Sequence, residues 1–227
     1  MLNRSAVRIR DRDCTLYGDP NAPLWLVQPG DDNDLEALDG EIAHIGVLAG
    51  EDFFMAALRV EDWEHDLTPW PTPQPIRGSR FGDGAGRTLF YIENTLLPAL
   101  GRHGQPVLLG GYSLAGLFAL WAGYNSDAFA GVAGVSPSVW YPDWRAYIDA
   151  HAMRARAVYL SLGEREPRGR GPMAAVGEGI EAQHAALRRE GVSCALEWNP
   201  GNHFTEPALR TAKGFAWLIG ALGETAR

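Results

Sequence analysis

Cysteine is scarce. Only Cys14 and Cys194 occur in 227 residues, and two isolated thiols form neither the paired spacing of a zinc or redox motif nor a disulfide framework. Both read as inert thiols of the kind that is often buried. Long apolar runs are missing too. The opening Met1-Leu2-Asn3-Arg4-Ser5-Ala6-Val7-Arg8-Ile9-Arg10 lacks the uninterrupted apolar stretch of a secretory signal, and no later run approaches a membrane span. The expectation is a cytoplasmic protein with no membrane partner. Positive charge is in deficit: the formal net charge is −8, and the arginines are scattered instead of forming a stripe beside aromatic residues, which argues against nucleic acid as a partner. Neither repeats nor low-complexity linkers interrupt the chain, and a 46% hydrophobic content suffices for one sizeable core. One domain over residues 1–227 is expected.

What the sequence does contain is an alternation of strand-like and helix-like segments. Ala6–Tyr17, Leu24–Gln28 and Ile42–Leu48 are rich in β-branched and other apolar residues and read as strands preceding any long helix. Residues 61–85, rich in Trp, Pro, Asp and Gly, read as a long loop without regular structure. From residue 86 a helix runs to about 101. Strand Pro106–Gly110, a helix from Leu114, strands Gly131–Val135 and Ala157–Leu162, helix Ala174–Arg189, strand Ser193–Trp198 and helix Pro207–Leu222 follow. Repeated βα units predict an α/β fold with a mostly parallel central sheet and helices on both faces.

Ser113 stands at the sharpest junction. Val107-Leu108-Leu109-Gly110-Gly111-Tyr112-Ser113-Leu114-Ala115-Gly116-Leu117 reads as a buried strand, a tight turn and an apolar helix. A strand–turn–helix elbow that projects a serine hydroxyl above a sheet needs small residues two before and two after the serine, here Gly111 and Ala115. Glycine is usual at the second site; Ala115 departs from it, with Gly116 adjacent. A phosphate loop is disfavoured, because Leu117 follows Gly116 where Lys and then Ser or Thr would be needed.

Of six histidines, His44 is expected in a strand, His103 at a helix end, and His151 and His184 on helical faces, which leaves His65 and His203. His203 lies in Asn199-Pro200-Gly201-Asn202-His203-Phe204, between the last strand and the last helix, where a parallel sheet carries its functional loops. The order serine before histidine also suits this fold. A carboxylate should leave the strand between them. Gly163-Glu164-Arg165-Glu166-Pro167 supplies Glu166 as first choice and Glu164 as the reserve.

With these segments in place, the chain from about residue 23 onward resembles the esterase family that includes enterochelin (ferric siderophore) esterases and S-formylglutathione hydrolases. Asp66-Leu67-Thr68-Pro69-Trp70, Glu93-Asn94-Thr95-Leu96-Leu97-Pro98 and Gly134-Val135-Ser136-Pro137-Ser138-Val139-Trp140 carry the likeness beyond the serine motif. The resemblance implies an α/β-hydrolase fold, a triad of Ser113, His203 and Glu166, and an oxyanion hole formed by the Leu114 amide and an amide of the Pro29-Gly30-Asp31 turn, with Asp31 as donor. It implies no metal and no organic cofactor. The expected activity is cleavage of a small-molecule carboxylic ester through an acyl-enzyme. Trp63–Trp70 and Ser136–Tyr141 are candidate walls of an acyl pocket, and Arg77 or Arg80 candidate contacts for an anionic substrate. A non-catalytic binding protein on the same fold, or an acyltransferase using the same nucleophile, are the competing readings.

Overall fold

The computed structural model describes residues 2–50, 52–73, 80–169 and 171–225. An antiparallel hairpin of β1 (Arg4–Ile9) and β2 (Arg12–Tyr17) opens the chain, so the stretch expected as one strand turns back at Arg10, which has φ +55°. β3 (Trp25–Gly30), α1 (Asp32–Ala49) and β4 (Phe54–Arg59) follow, then α2 (Trp63–Asp66) and the two-residue strands β5 (Thr72–Pro73) and β6 (Arg80–Phe81). A helix begins as α3 (Ala85–Tyr91), widens to a π-turn over Ile92–Leu96 and closes as α4 (Leu97–Ala99). The remainder alternates: β7 (Val107–Tyr112), α5 (Leu114–Asn125), β8 (Gly131–Val135), α6 (Trp144–Ala150), β9 (Ala157–Gly163), α7 (Val176–Arg189), β10 (Ser193–Asn199) and α8 (Pro207–Thr225).

Eight strands form one sheet in the order β1-β2-β4-β3-β7-β8-β9-β10, antiparallel at β1, β2 and β4 and parallel from β4 to β10. The central strands are buried throughout because both sheet faces are covered, which is why they read as unbroken apolar runs. In β7, Val107 and Leu109 join the core beneath α3, α5, α6 and α7, whereas Leu108 joins the core beneath α1 and α8. The chain runs from β3 outward through β4 and then returns to the other side of β3 as β7. The strand order therefore reverses between β3 and β7, and their carboxyl ends bound a crevice of the kind in which parallel sheets bind ligands.

Expectations fail in the first part of the chain: residues 61–85, expected as a loop without regular structure, carry α2, β5, β6 and the start of α3. Ile42–Leu48 lies in α1, and His44 is on that helix's exposed face instead of in a strand. The helical reading wins because Leu38, Ile42 and Ile45 share one buried stripe, Val47 and Leu48 are left to solvent, and an Asp31–Asp34 capping box starts the helix. A short apolar run cannot by itself separate these periods. The strand that does pair with β3 is β4, Phe54-Met55-Ala56-Ala57-Leu58-Arg59, whose buried alanines and methionine carry little strand propensity.

Candidate active site

Strand β7 delivers Ser113 into the turn before α5 with φ +57° and ψ −117°, a conformation costly for any residue with a side chain. Three backbone bonds hold it there: the Ser113 N–H donates to the Val135 carbonyl at 3.0 Å, and the Ser113 carbonyl accepts from the Leu117 and Ser138 amides at 3.0 and 3.1 Å. A Cβ on Gly111 would lie 2.6 Å from that of Ala115, and a Cβ on Gly116 2.9 Å from the Gly111 carbonyl oxygen. Alanine at 115 is thus accommodated by the glycine opposite, and Gly116 supplies the close approach of helix to strand.

His203 sits in the β10–α8 loop, where the Tyr112 hydroxyl donates to its carbonyl at 2.8 Å and an Asn202–Thr205 turn fixes the preceding residue. Its Nε2 lies 3.1 Å from Ser113 Oγ and its Nδ1 2.8 Å from Glu166 Oε2. Glu166 opens a 3₁₀ turn just beyond β9 with its side chain 5% exposed. Its other oxygen, Oε1, accepts from the Gly163 amide and the Ser136 hydroxyl at 2.7 Å each and from Arg210 Nη2 at 3.0 Å. Burial pushes this carboxyl up, but hydrogen bonds from His203 and Ser136, the charge of His203 and the Gly163 amide outweigh it and hold the group at about 2. Glu166 is consequently a pure acceptor, which places a proton on His203 Nδ1; in the neutral imidazole this leaves the Nε2 lone pair facing Ser113 Oγ.

Of the two glutamates considered, Glu164 is exposed and held only through its amide, which donates to the Asn199 carbonyl. His65, the other histidine left open by the sequence, is in α2 and pairs with Asp66, Asp83 and Arg87. The Leu114 N–H, at the first turn of α5, meets no acceptor among the described residues. The Asp31 N–H is already engaged: as the N-cap of α1 it donates to Asp34 Oδ2 at 3.2 Å, while Asp31 Oδ1 accepts from the Asn33 and Asp34 amides. Burial, and then the charge of Asp31, push the Asp34 carboxyl up to about 6.

A cavity of about 280 Å³ adjoins His203 and Glu166, lined by Ser136, Trp140, Met173, Val176 and Phe204 and by Arg165. The other expected aromatic walls are used elsewhere. Trp70 and Tyr141 pack on each other and on Trp144, Tyr147 and Phe81, and the Trp70 indole donates to the Pro142 carbonyl. Ser136 both lines the cavity and supports the acid through its hydroxyl. Arg80 is exposed and does not line the cavity, and Arg77 lies outside the described residues. Sequence reasoning passed over Arg165, Tyr112 and Arg210. For Arg210 a signal existed: it shares one helical stripe of α8 with buried Gly214 and Leu218, an apolar face on which an arginine needs a reason.

No family model matches the sequence, and no curated protein matches it either. Solved structures do. An IroE-like serine hydrolase from Shewanella oneidensis aligns over 96% of this chain and 80% of its own, with a TM-score of 0.75 at 16% identity. A siderophore hydrolase from Aspergillus nidulans aligns over 97% and 94%, with a TM-score of 0.65 at 16% identity. The enterobactin esterase of Shigella flexneri, solved in the presence of enterobactin, aligns over 98% of this chain but 59% of its own, with a TM-score of 0.70 at 18% identity. The shared architecture is the α/β-hydrolase fold. Among the described residues no helix is long and apolar enough to cross a membrane.

Proposed function

We propose that this chain is a serine esterase that hydrolyses carboxylic esters through an acyl-enzyme. One observation carries the reading: an unbroken hydrogen-bond chain from Ser113 Oγ through both ring nitrogens of His203 to the buried, ionised Glu166, with the serine on a strained elbow. Strain of that kind persists only where the surroundings over-determine it.

The chemistry follows from the proton positions. His203 Nε2 takes the Ser113 proton as Oγ bonds to the ester carbonyl carbon, and the carbonyl π electrons move to oxygen. The Leu114 amide donates to that oxyanion, an interaction worth about 3 kcal/mol in comparable sites. Asp31 is the second donor only where its N–H exchanges Asp34 for the oxyanion. Collapse of the intermediate breaks the bond to the alkoxide, which leaves with the proton from His203 Nε2. Water then repeats the sequence: His203 takes its proton, its oxygen bonds to the acyl carbon, and collapse expels Ser113 Oγ, which regains the proton as the carboxylic acid departs.

The test is active-site labelling followed by an ester panel. A fluorophosphonate is expected to modify Ser113 and to leave the buried Ser136 and Ser161 untouched. The panel includes p-nitrophenyl esters and, because siderophore hydrolases share the fold, siderophore esters. Absence of labelling at Ser113, or no hydrolysis of any ester, refutes the reading.

A further inference from the structure

Arg210 is among the largest fully buried side chains of the protein, with 2% of it exposed. A buried guanidinium is tolerated where its charge is matched and its donors are engaged. Here both terminal nitrogens are engaged, while Nε is buried without a partner among the described residues. The partners are three residues in or beside the triad loops together with Ser136 of the loop after β8. Nη2 donates to Glu166 Oε1 and to Ser136 Oγ. Nη1 donates to the Tyr112 hydroxyl at 2.8 Å and to the Asn202 carbonyl at 3.3 Å. Tyr112 immediately precedes Ser113, and Asn202 immediately precedes His203. One planar fork therefore ties together the elbow after β7, the acid loop after β9 and the histidine loop after β10, a geometry that a lysine's point charge cannot reproduce.

We infer that Arg210 is the positioning residue of this triad, holding Glu166 in register with His203 and offsetting part of the carboxylate's field at the imidazole. The inference rests on the serine-esterase reading. A buried carboxylate alone would stabilise the imidazolium and delay release of the base until higher pH. With Arg210 bonded to the far oxygen, the acid still orients Nδ1–H, but the net charge behind it is zero. The ionisable groups facing this assembly are Glu166 from the acid loop, Tyr112 from β7, Arg210 from α8 and Arg165 on the cavity lining, with Glu197 of β10 and Tyr159 of β9 in electrostatic range of Arg210 and Asp34 of α1 acting on Tyr112 at longer range.

The experiment measures kcat/KM against pH for a p-nitrophenyl ester, with fluorophosphonate labelling of Ser113 run in parallel, for wild type, Arg210→Met and Arg210→Lys. Arg210→Met is expected to move the acidic limb upward by roughly one pH unit. Arg210→Lys keeps the charge and loses the fork, so its kcat falls on the order of 10- to 100-fold while the limb stays in place. A limb at the wild-type position in Arg210→Met overturns the inference. Arg210→Met strands a buried carboxylate and is liable to unfold. The double variant Glu166→Gln/Arg210→Met strands no charge, and its limb is expected above that of Glu166→Gln; a limb at or below it overturns the inference equally. A wild type that neither hydrolyses esters nor labels at Ser113 defeats the esterase reading itself, and the two failures are thereby separated.

Discussion

Glu166, just beyond β9, and Glu41, on α1, both bury their carboxyls, and their surroundings drive them in opposite directions. Glu166 meets a histidine, a serine, a backbone amide and a guanidinium, and its carboxyl is held at about 2. Glu41, on α1 beneath β3, is 3% exposed and has one donor, Gln28 Nε2 at 3.3 Å. Glu41 Oε1 and Gln28 Oε1 are buried without partners. Burial, only partly offset by the Gln28 hydrogen bond and added to by the charge of Asp34, pushes the Glu41 carboxyl up to about 8. A proton on Glu41 gives this pair the donor it lacks, whereas a proton on Glu166 would remove the charge that orients His203. Burial does not decide the state of a carboxyl; the number of donors and cations converging on it does.

The largest expected effect tests whether the Glu166 side is a catalytic centre at all. Ser113→Ala and His203→Ala should each lower kcat/KM for an activated ester on the order of 10⁴- to 10⁶-fold, with unfolding midpoints near wild type. Steady-state kinetics with denaturation controls reads this, and a His203→Ala enzyme of full rate removes His203 as the base.

Next comes the acid. Glu166→Gln should cost about 10²- to 10⁴-fold in kcat, and Glu164→Gln should behave as wild type, since Glu164 is exposed and away from the ring. Glu166→Gln should also destabilise the fold at neutral pH by leaving Arg210 buried without its counter-charge. A larger kinetic loss at Glu164 would exchange the two assignments.

The same substitution in the other region should act with the opposite sign. Glu41 is raised in the folded state, so folding carries no penalty from it below the unfolded carboxylate range of about 4.5, and a penalty that grows as pH climbs toward about 8. Glu41→Gln should remove that slope and be more stable than wild type at pH 7, by on the order of 3 kcal/mol. Glu166 is depressed: its stabilisation is present above about 4.5 and lost as pH falls toward about 2. Urea denaturation of wild type and both variants from pH 2 to 9 makes the comparison, and a destabilised Glu41→Gln at pH 8 would mean that Glu41 is ionised and paired.

The smallest effect concerns Asp34. Asp34→Ala frees the Asp31 N–H and breaks the capping box, so stability should fall by about 1 kcal/mol. If Asp31 is the second oxyanion donor, kcat should rise a few-fold. A rate that stays level or falls identifies the second donor elsewhere.

Local sequence sufficed for much of this. The elbow at Ser113 was legible because a buried strand, a glycine-flanked serine and an apolar helix leave few other conformations, and the order of serine, acid loop and histidine follows from the order of parallel strands. Glu166 and Glu164 were named together because two residues on one turn differ only in direction, which neither spacing nor composition encodes. The strand expected over Ile42–Leu48, and the absence of any expected element over Phe54–Arg59, have a related cause. Both are short apolar stretches whose period becomes decisive only when a neighbouring surface selects one face, and α8 and β3 supply those surfaces. The tertiary structure alone decided that Arg210, 97 residues beyond Ser113 in the sequence, meets Glu166, and that Asp34 holds the Asp31 amide. Charge pairing inside a protein depends on distances through space in a medium that screens poorly, and the chain reveals those distances only after it has folded.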